Sequence, residues 1–325
     1  PEGVPDESDG GVRNMSWPVR GREKNDDAAA RALPLCGPGD WATGEWVFVR
    51  NTSTPRYNCS EGSRPRLAGH PTLQVNGRCQ RTSKRSWAVR CDRQPHPSQW
   101  EYRPAGCLLR PYSTAAFCGA LGARRLLLVG DSFTEQTFLT LLSRDQPLPA
   151  SCVVAFARND LLTMPQEPSS VEADYFSSQV LQSFDLFVLN SGFHVKTPAD
   201  LEPVLARVAT FAASLAPSQR AWWRTITPPH ADCDEASAPR PAGAPRPGED
   251  AWYQWSTFSE LNTESVRVAR EVGMGVLDPY DALYRRPDGH PSSGCPRKDV
   301  DCGHWVVPGP LDTVVDQLYA ALAET

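Results

Sequence analysis

A serine set between an apolar strand and a helix is the residue best placed for covalent chemistry in this sequence. Gly130-Asp131-Ser132 follows the strand candidate Arg125–Val129 and opens a helix carrying Phe133, Phe138 and Leu142. A tight turn there exposes the hydroxyl at the carboxyl end of the strand. The helix N-terminus stabilises negative charge developing beside it. Gly130 permits the turn, and the backbone N–H of Ser132 can donate to an oxyanion. Asp-Ser is also an ordinary helix N-cap, so the triplet by itself leaves a purely structural role open. A second group lies near the other end, in Asp301-Cys302-Gly303-His304-Trp305. Asp and His three residues apart can set a carboxylate against Nδ1 and leave Nε2 free to take a serine proton. An isolated pair of this kind can equally be a capped turn. No third ligand nearby supports a metal at Asp301 and His304.

The elements that must position these groups can be read along the chain. Short apolar runs at Val153–Phe156, Leu186–Leu189, Ala221–Ile226 and Gly275–Leu277 alternate with helical spacing over Leu201–Leu215, Phe258–Val272 and Leu311–Leu322. That alternation predicts an α/β domain with a mainly parallel sheet. Two further polar clusters follow strands. One is Asn190-Ser191-Gly192-Phe193-His194, where Asn190 and Gly192 are oxyanion or substrate candidates. The other is Trp223-Arg224-Thr225-Ile226-Thr227-Pro228-Pro229-His230, whose Arg224 and His230 could hold a polar substrate. Asp131 and Gly130 complete the candidate set around Ser132.

Composition bounds the setting. Among 325 residues there are 31 prolines and 10 cysteines, and the proline share is roughly twice the ordinary ~5%. No C-x-x-C pair occurs, and the even, scattered set of cysteines reads as disulfides formed in an oxidising compartment. Sequons at Asn14, Asn51 and Asn58 are glycosylation candidates and agree with a secretory route. A net charge of −5 gives no general pull toward nucleic acid. No apolar run approaches ~18 residues, so the expected setting is a lumenal or extracellular part whose membrane anchor lies outside this chain. Residues 1–33 are polar and patternless and read as a flexible stem. Residues 34–120 hold six of the ten cysteines with Trp41, Trp46, Trp87 and Trp100, and read as a loop-rich lobe that depends on a neighbour for its core. Residues 121–325 form the α/β domain.

The ordered segments GDS, NSGFH, WWRTITPPH and DCGHWVVPGPLDTVVDQLYAAL resemble the plant trichome-birefringence-like polysaccharide O-acetyltransferases, within the PC-esterase group of SGNH/GDSL-like folds. Members of that family read GDS, then N-T-G-H-W, then F-R-T-x-S-P-x-H, then D-C-x-H-W-C-L-P-G-x-x-D-T-W. The resemblance runs from about Cys36 to the C-terminus. It implies a three-layer α/β sandwich with the cysteine-rich lobe packed against it. It implies Ser132 as nucleophile, His304 as general base and Asp301 as its orienting acid, with Asn190 or a nearby backbone amide assisting the oxyanion. Val306 stands where the family has a second cysteine, so one family disulfide is absent or rerouted; Cys302 remains, and Cys233 and Cys302 are disulfide candidates. Phe193 and His194 depart from the family's His-Trp order.

What the resemblance implies for activity is transfer of an acetyl group to a polysaccharide hydroxyl through an acetyl-serine. The acetyl donor is a co-substrate, acetyl-CoA or another acetyl carrier, and no bound cofactor is expected. The expected location is the Golgi lumen, with the cell wall or extracellular space as alternatives, and the expected state is a monomer. Two other readings share the residues: an acetylesterase acting on carbohydrate with the same triad, and a glycan-binding wall protein with an idle site.

Overall fold

Strand β5 (Leu126–Gly130) is buried along its whole length, and its side chains alternate between two cores. Leu127 and Val129 enter one cluster, Leu126 and Leu128 the other. An apolar residue at every position is what a strand covered on both faces requires. The computed structural model describes residues 33–49 apart from 38 and 42, the backbone of 66–67 and 70–75, and residues 96–163, 180, 182–242, 255–293 and 300–325. The predicted stem, the three sequons, and Cys59, Cys79, Cys91 and Cys295 lie outside the described residues.

The main sheet has the order β2-β3-β6-β5-β7-β8-β9. Its parallel centre consists of β6 (Val154–Arg158), β5, β7 (Leu186–Leu189), β8 (Arg220–Arg224) and β9 (Gly275–Leu277). Two strands from the cysteine-rich segment, β2 (Arg66–Leu67) and β3 (His70–Val75), extend it antiparallel beyond β6. Helices α3 (Pro198–Ser214) and α4 (Phe258–Glu271) supply one outer layer through Leu201, Val204, Leu205, Val208, Phe211, Phe258 and Leu261. The other layer is α1 (Thr114–Leu121), α2 (Ser132–Ser143) and α6 (Asp312–Ala323), through Phe117, Leu121, Phe138, Leu141, Val315 and Leu318. This is the three-layer α/β sandwich expected from the sequence. Each strand residue of this kind alternates its face, as Trp222 and Trp223 do between the two cores.

The chain leaves β5 for β6 on one side and returns to β7 on the other. That reversal opens a crevice at the carboxyl ends of β5 and β7, the usual place for a ligand in a parallel sheet. Ser132 and Asn190 both emerge there.

The first part of the described chain adds a small antiparallel pair, β1 (Gly44–Phe48) with β4 (Trp100–Pro104). The Cys36–Cys107 disulfide closes its base, and Trp41, Tyr102 and Cys36 bury together against Ala282 and Ala320. It is tied to the helix α5 (Tyr280–Tyr284) and the turn after it. Trp46 Nε1 donates to the Ala282 carbonyl at 2.8 Å, and Arg285 donates to the Gly44 carbonyl at 2.7 Å. Arg286 donates to the Pro97 carbonyl at 2.6 Å and lies 4.2 Å over the Trp46 ring. Cys118–Cys152 joins α1 to the approach of β6. All six described cysteines are paired, as suits the secretory pathway. Among the described residues no helix is long and apolar enough to cross a membrane.

Candidate active site

Asp131 caps α2 and so fixes where Ser132 begins. Its side chain accepts the backbone N–H of Phe133 at 3.0 Å and of Thr134 at 3.4 Å, leaving Ser132 at the first helical position. Gly130 before it has φ 157°, and a β-carbon there would lie 2.5 Å from the Asn190 carbonyl oxygen and from Thr134 Oγ1. Only glycine lets β5, α2 and the end of β7 close this tightly.

Ser132 Oγ lies 2.8 Å from His304 Nε2, and His304 Nδ1 lies 2.9 Å from Asp301 Oδ2. The structure thus brings together three residues from the two ends of the α/β domain. The other oxygen of Asp301 accepts the backbone N–H of His304 at 3.0 Å and of Gly303 at 3.2 Å. Burial works against its charge, but the bond from His304, that ring's attraction and the two amides outweigh it. They hold the Asp301 carboxyl well below the usual carboxylate range. A lasting carboxylate there keeps a proton on Nδ1 and a lone pair on Nε2 facing the serine. The imidazole lies flat on Phe133, 4.9 Å between centroids and 7° between planes, with Phe193 tilted beside it.

The loop bearing Asp301 and His304 is fastened from several directions. Cys302 is bonded to Cys233. The Cys302 carbonyl accepts from the His230 backbone N–H at 3.0 Å, and Asp301 N–H donates to Pro291 at 3.0 Å. Gln136, one turn after Ser132 on α2, bonds the next residue twice: Trp305 N–H donates to its Oε1 at 3.1 Å, and its Nε2 donates to the Trp305 carbonyl at 2.8 Å. His290 Nδ1 lies 2.6 Å from the His304 carbonyl oxygen. Val306 N–H donates to Gly289 at 2.7 Å. The turn that supplies Gly289 and His290 is itself held by a bidentate, fully buried Arg286–Asp288 pair at 2.8 Å.

Other candidates sit differently from what their polarity suggested. Asn190 is buried, its Nδ2 donating to the Arg224 carbonyl at 2.9 Å and its Oδ1 accepting from Thr134 Oγ1 at 3.3 Å. Gly192, at φ 134°, lets Ile226 approach, and a β-carbon would lie 2.3 Å from it. Arg224 and His230, expected to hold substrate, have no exposed surface and bond to framework atoms. They lie behind the site, in its wall. Burial pulls the Arg224 guanidinium down to about 10, with Asp131 opposing. Neither Gln136 nor His290 was singled out from the sequence. Position 136 lay four residues after Ser132, on the same helix face, which was the available signal.

A charged rim adjoins the serine turn. Arg158, at the end of β6, is in register with Gly130. It bonds Asp160 through Nε and, at 3.0 Å, through its terminal nitrogen, and reaches toward Glu135 at 3.8 Å. His194 Nε2 lies 3.4 Å from Asp160. Burial opposes the Arg158 charge, but Asp160, with Asp131 and Glu135, raises its pKa. Among the described residues no group of three or more His, Cys, Asp or Glu is placed to hold a metal ion.

Comparison with known proteins finds a family match over the part of the chain that holds Asp301 and His304, beginning after Ser132 and Asn190. Residues 193–321 match the PC-Esterase family, described as a GDSL/SGNH-like acyl-esterase family found in Pmr5 and Cas1p. Xyloglucan O-acetyltransferase 4 of Populus trichocarpa is 37% identical over 79 residues, 22% of this chain and 19% of that protein. Xyloglucan O-acetyltransferase 3 of the same plant is 47% identical over 81 residues, 22% and 20%. Protein trichome birefringence-like 19 of Arabidopsis thaliana is 45% identical over 53 residues, 14% and 12%. The matched stretches therefore span a fifth or less of these relatives' own length. A solved Lactobacillus plantarum protein aligns over 62% of this chain and 98% of its own, at 12% identity and TM-score 0.35. Residues 193–321 are thus similar to the PC-esterase family, and shorter stretches of the chain are similar to xyloglucan O-acetyltransferases and to a trichome birefringence-like protein.

Proposed function

We propose that this chain is a polysaccharide O-acetyltransferase that works through an acetyl-serine on Ser132. The observation that carries the reading is the continuous chain from Ser132 Oγ to His304 Nε2 at 2.8 Å and from His304 Nδ1 to Asp301 at 2.9 Å. His304 takes the serine proton as Oγ attacks the acetyl carbonyl of the donor. The tetrahedral anion is stabilised by the Ser132 N–H at the head of α2. As it collapses, His304 returns the proton to the leaving group. A sugar hydroxyl then gives its proton to His304 and attacks the acetyl-serine, and as the C–O bond to Ser132 breaks His304 returns that proton to Ser132 Oγ. Asp301 keeps the imidazole in the required tautomer throughout. The curated relatives named as xyloglucan O-acetyltransferases make xyloglucan the first acceptor to try. The same reading puts its action in the Golgi lumen, and the disulfides support it only as far as an oxidising, secretory-pathway setting.

The test is incubation of the purified protein with an acetyl donor and deacetylated oligosaccharides, followed by mass spectrometry. Oligosaccharides heavier by one acetyl, absent with Ser132→Ala, are the expected result. Acetate released to water without gain on any glycan would instead assign an esterase. Binding without turnover, unchanged in Ser132→Ala, would assign a glycan-binding protein.

A further inference from the structure

Two histidines outside the triad stand in line beneath the loop that carries His304. Neither His230 nor His290 has exposed surface. His230 Nε2 lies 2.7 Å from the Tyr284 carbonyl oxygen, and His230 Nδ1 lies 2.7 Å from His290 Nε2. His290 Nδ1 lies 2.6 Å from the His304 carbonyl oxygen. A carbonyl oxygen only accepts, so each outer nitrogen must carry a proton to bond it, and the inner pair needs one between them. The whole row takes three protons, whereas two neutral imidazoles bring two. The 2.7 Å contact between the rings excludes the arrangement that leaves two bare nitrogens facing each other, so a neutral pair completes the inner bond and one outer bond, with both protons directed to one end.

Surrounding charge selects the end. Asp301 and Asp288 favour a proton on His290, opposed by His304 when that ring is charged. At His230 the Tyr284 carbonyl favours a proton, while Arg240 and Arg286 disfavour one. The carboxylates lie at the His304 end, where the contact to the carbonyl is also the shorter, 2.6 Å against 2.7 Å. Both protons are directed there: His230 carries its own on Nδ1, facing His290, and His290 carries its own on Nδ1, facing His304. Trp305, stacked on His290 at 4.1 Å between centroids, fixes the plane of that ring.

We propose that His290 is a positioning residue for His304, donating its Nδ1–H to the His304 carbonyl, and that His230 imposes this tautomer by donating to His290 Nε2. The inference rests on His304 acting as the base. The peptide unit joining His304 to Trp305 is then held at both edges, its carbonyl by His290 and its N–H by Gln136. With that unit fixed, the imidazole loses the backbone freedom that would lengthen its contact to Ser132. Burial lowers both pKa values, that of His290 to about 4, so the two-proton form is the working one at neutral pH. A third proton joins only in acid, where it completes the bond to Tyr284 and leaves a charge buried.

Hydrolysis of 4-nitrophenyl acetate by the whole chain tests this without any glycan. An asparagine amide can occupy the Nδ1 position and donate to His304; leucine cannot. His290→Leu is expected to lower kcat about 100-fold with KM within about twofold, and His290→Asn to recover all but about tenfold. A His290→Leu enzyme with wild-type kcat would overturn the inference, as would equal loss in both variants, which would mark packing alone. Ser132→Ala in the same assay separates this from the triad reading: undiminished turnover there would remove the nucleophile and leave His290 aside. Ring ¹⁵N resonances of the wild type decide independently of turnover and of how the variants fold. A protonated His290 Nδ1 at neutral pH is expected, and a bare Nδ1 would refute the proposal.

Discussion

The floor under His304 and the rim at the end of β6 both adjoin the serine turn, yet they are built in opposite ways. Gln136, His230 and His290 in the floor have no exposed surface, and every contact that fixes the loop ends on backbone or on a buried partner. In the rim, the Arg158, Asp160 and His194 side chains are 14%, 18% and 33% exposed and bond chiefly one another. Neutral, directional bonds in a dry interior hold a geometry; charges near water hold it weakly and respond to salt. The difference assigns the steps. The floor holds His304 against Ser132, and on the proposed function the rim would be the part that meets a polar acceptor.

The contrast can be broken most severely at the triad itself. Ser132→Ala or His304→Ala is expected to lower acetyl transfer by about 10⁶-fold, and Asp301→Asn by about 10⁴-fold, with melting temperature little changed for the serine variant. Retained turnover in Ser132→Ala would show that the site works otherwise. Next, replacing Cys233 and Cys302 by serine opens a loop of 69 residues and should cost about 4 kcal/mol of stability. Thermal unfolding would read that loss, and an unchanged midpoint would show that the other fastenings suffice. Gln136→Leu leaves the Trp305 N–H and carbonyl unpaired in the interior, a loss of about 2 kcal/mol or more. It should lower kcat as well as stability, whereas a packing role would affect stability alone.

Acid should weaken the site in two steps of the same sign. His290 has a folded pKa depressed to about 4, below an unfolded value near ~6.5. The unfolded chain therefore binds more protons in that interval, so stability is full above it and falls as pH drops through it. Asp301, also depressed, contributes above the ordinary carboxylate range, and that share is lost only at still lower pH. A His290→Asn variant whose acid unfolding curve matches the wild type between those limits would disprove the histidine contribution. The smallest effect belongs to the rim. Asp160→Asn should change acceptor KM by a few-fold and stability by less than about 1 kcal/mol, measured by transfer kinetics and thermal unfolding.

Much of this was legible where local pattern and fold coincide. The apolar strand before GDS and the D-x-x-H spacing foretold which residues meet, and GVL and the helix after Pro310 fell where periodicity put them. Helix α1 was not visible, because TAAFCGAL has little polar face and its helical form is stabilised by packing on the sheet layer. Arg224 and His230 were read as substrate-facing because polarity normally means exposure, and only the fold reveals that their partners are backbone carbonyls and buried side chains in the interior. The roles of Gln136 and His290 depend on contacts across 169 and 14 residues, which no local pattern encodes.

Gln136 shares a helix with Ser132, and that has a consequence for motion. The loop bearing His304 is bolted to the same rigid rod that bears Ser132, one turn away. When α2 shifts as the layers breathe, both reacting groups travel with it as one body. The separation between Oγ and Nε2 is thereby referenced to a single element, so displacements elsewhere in the sandwich can move the active site without detuning it.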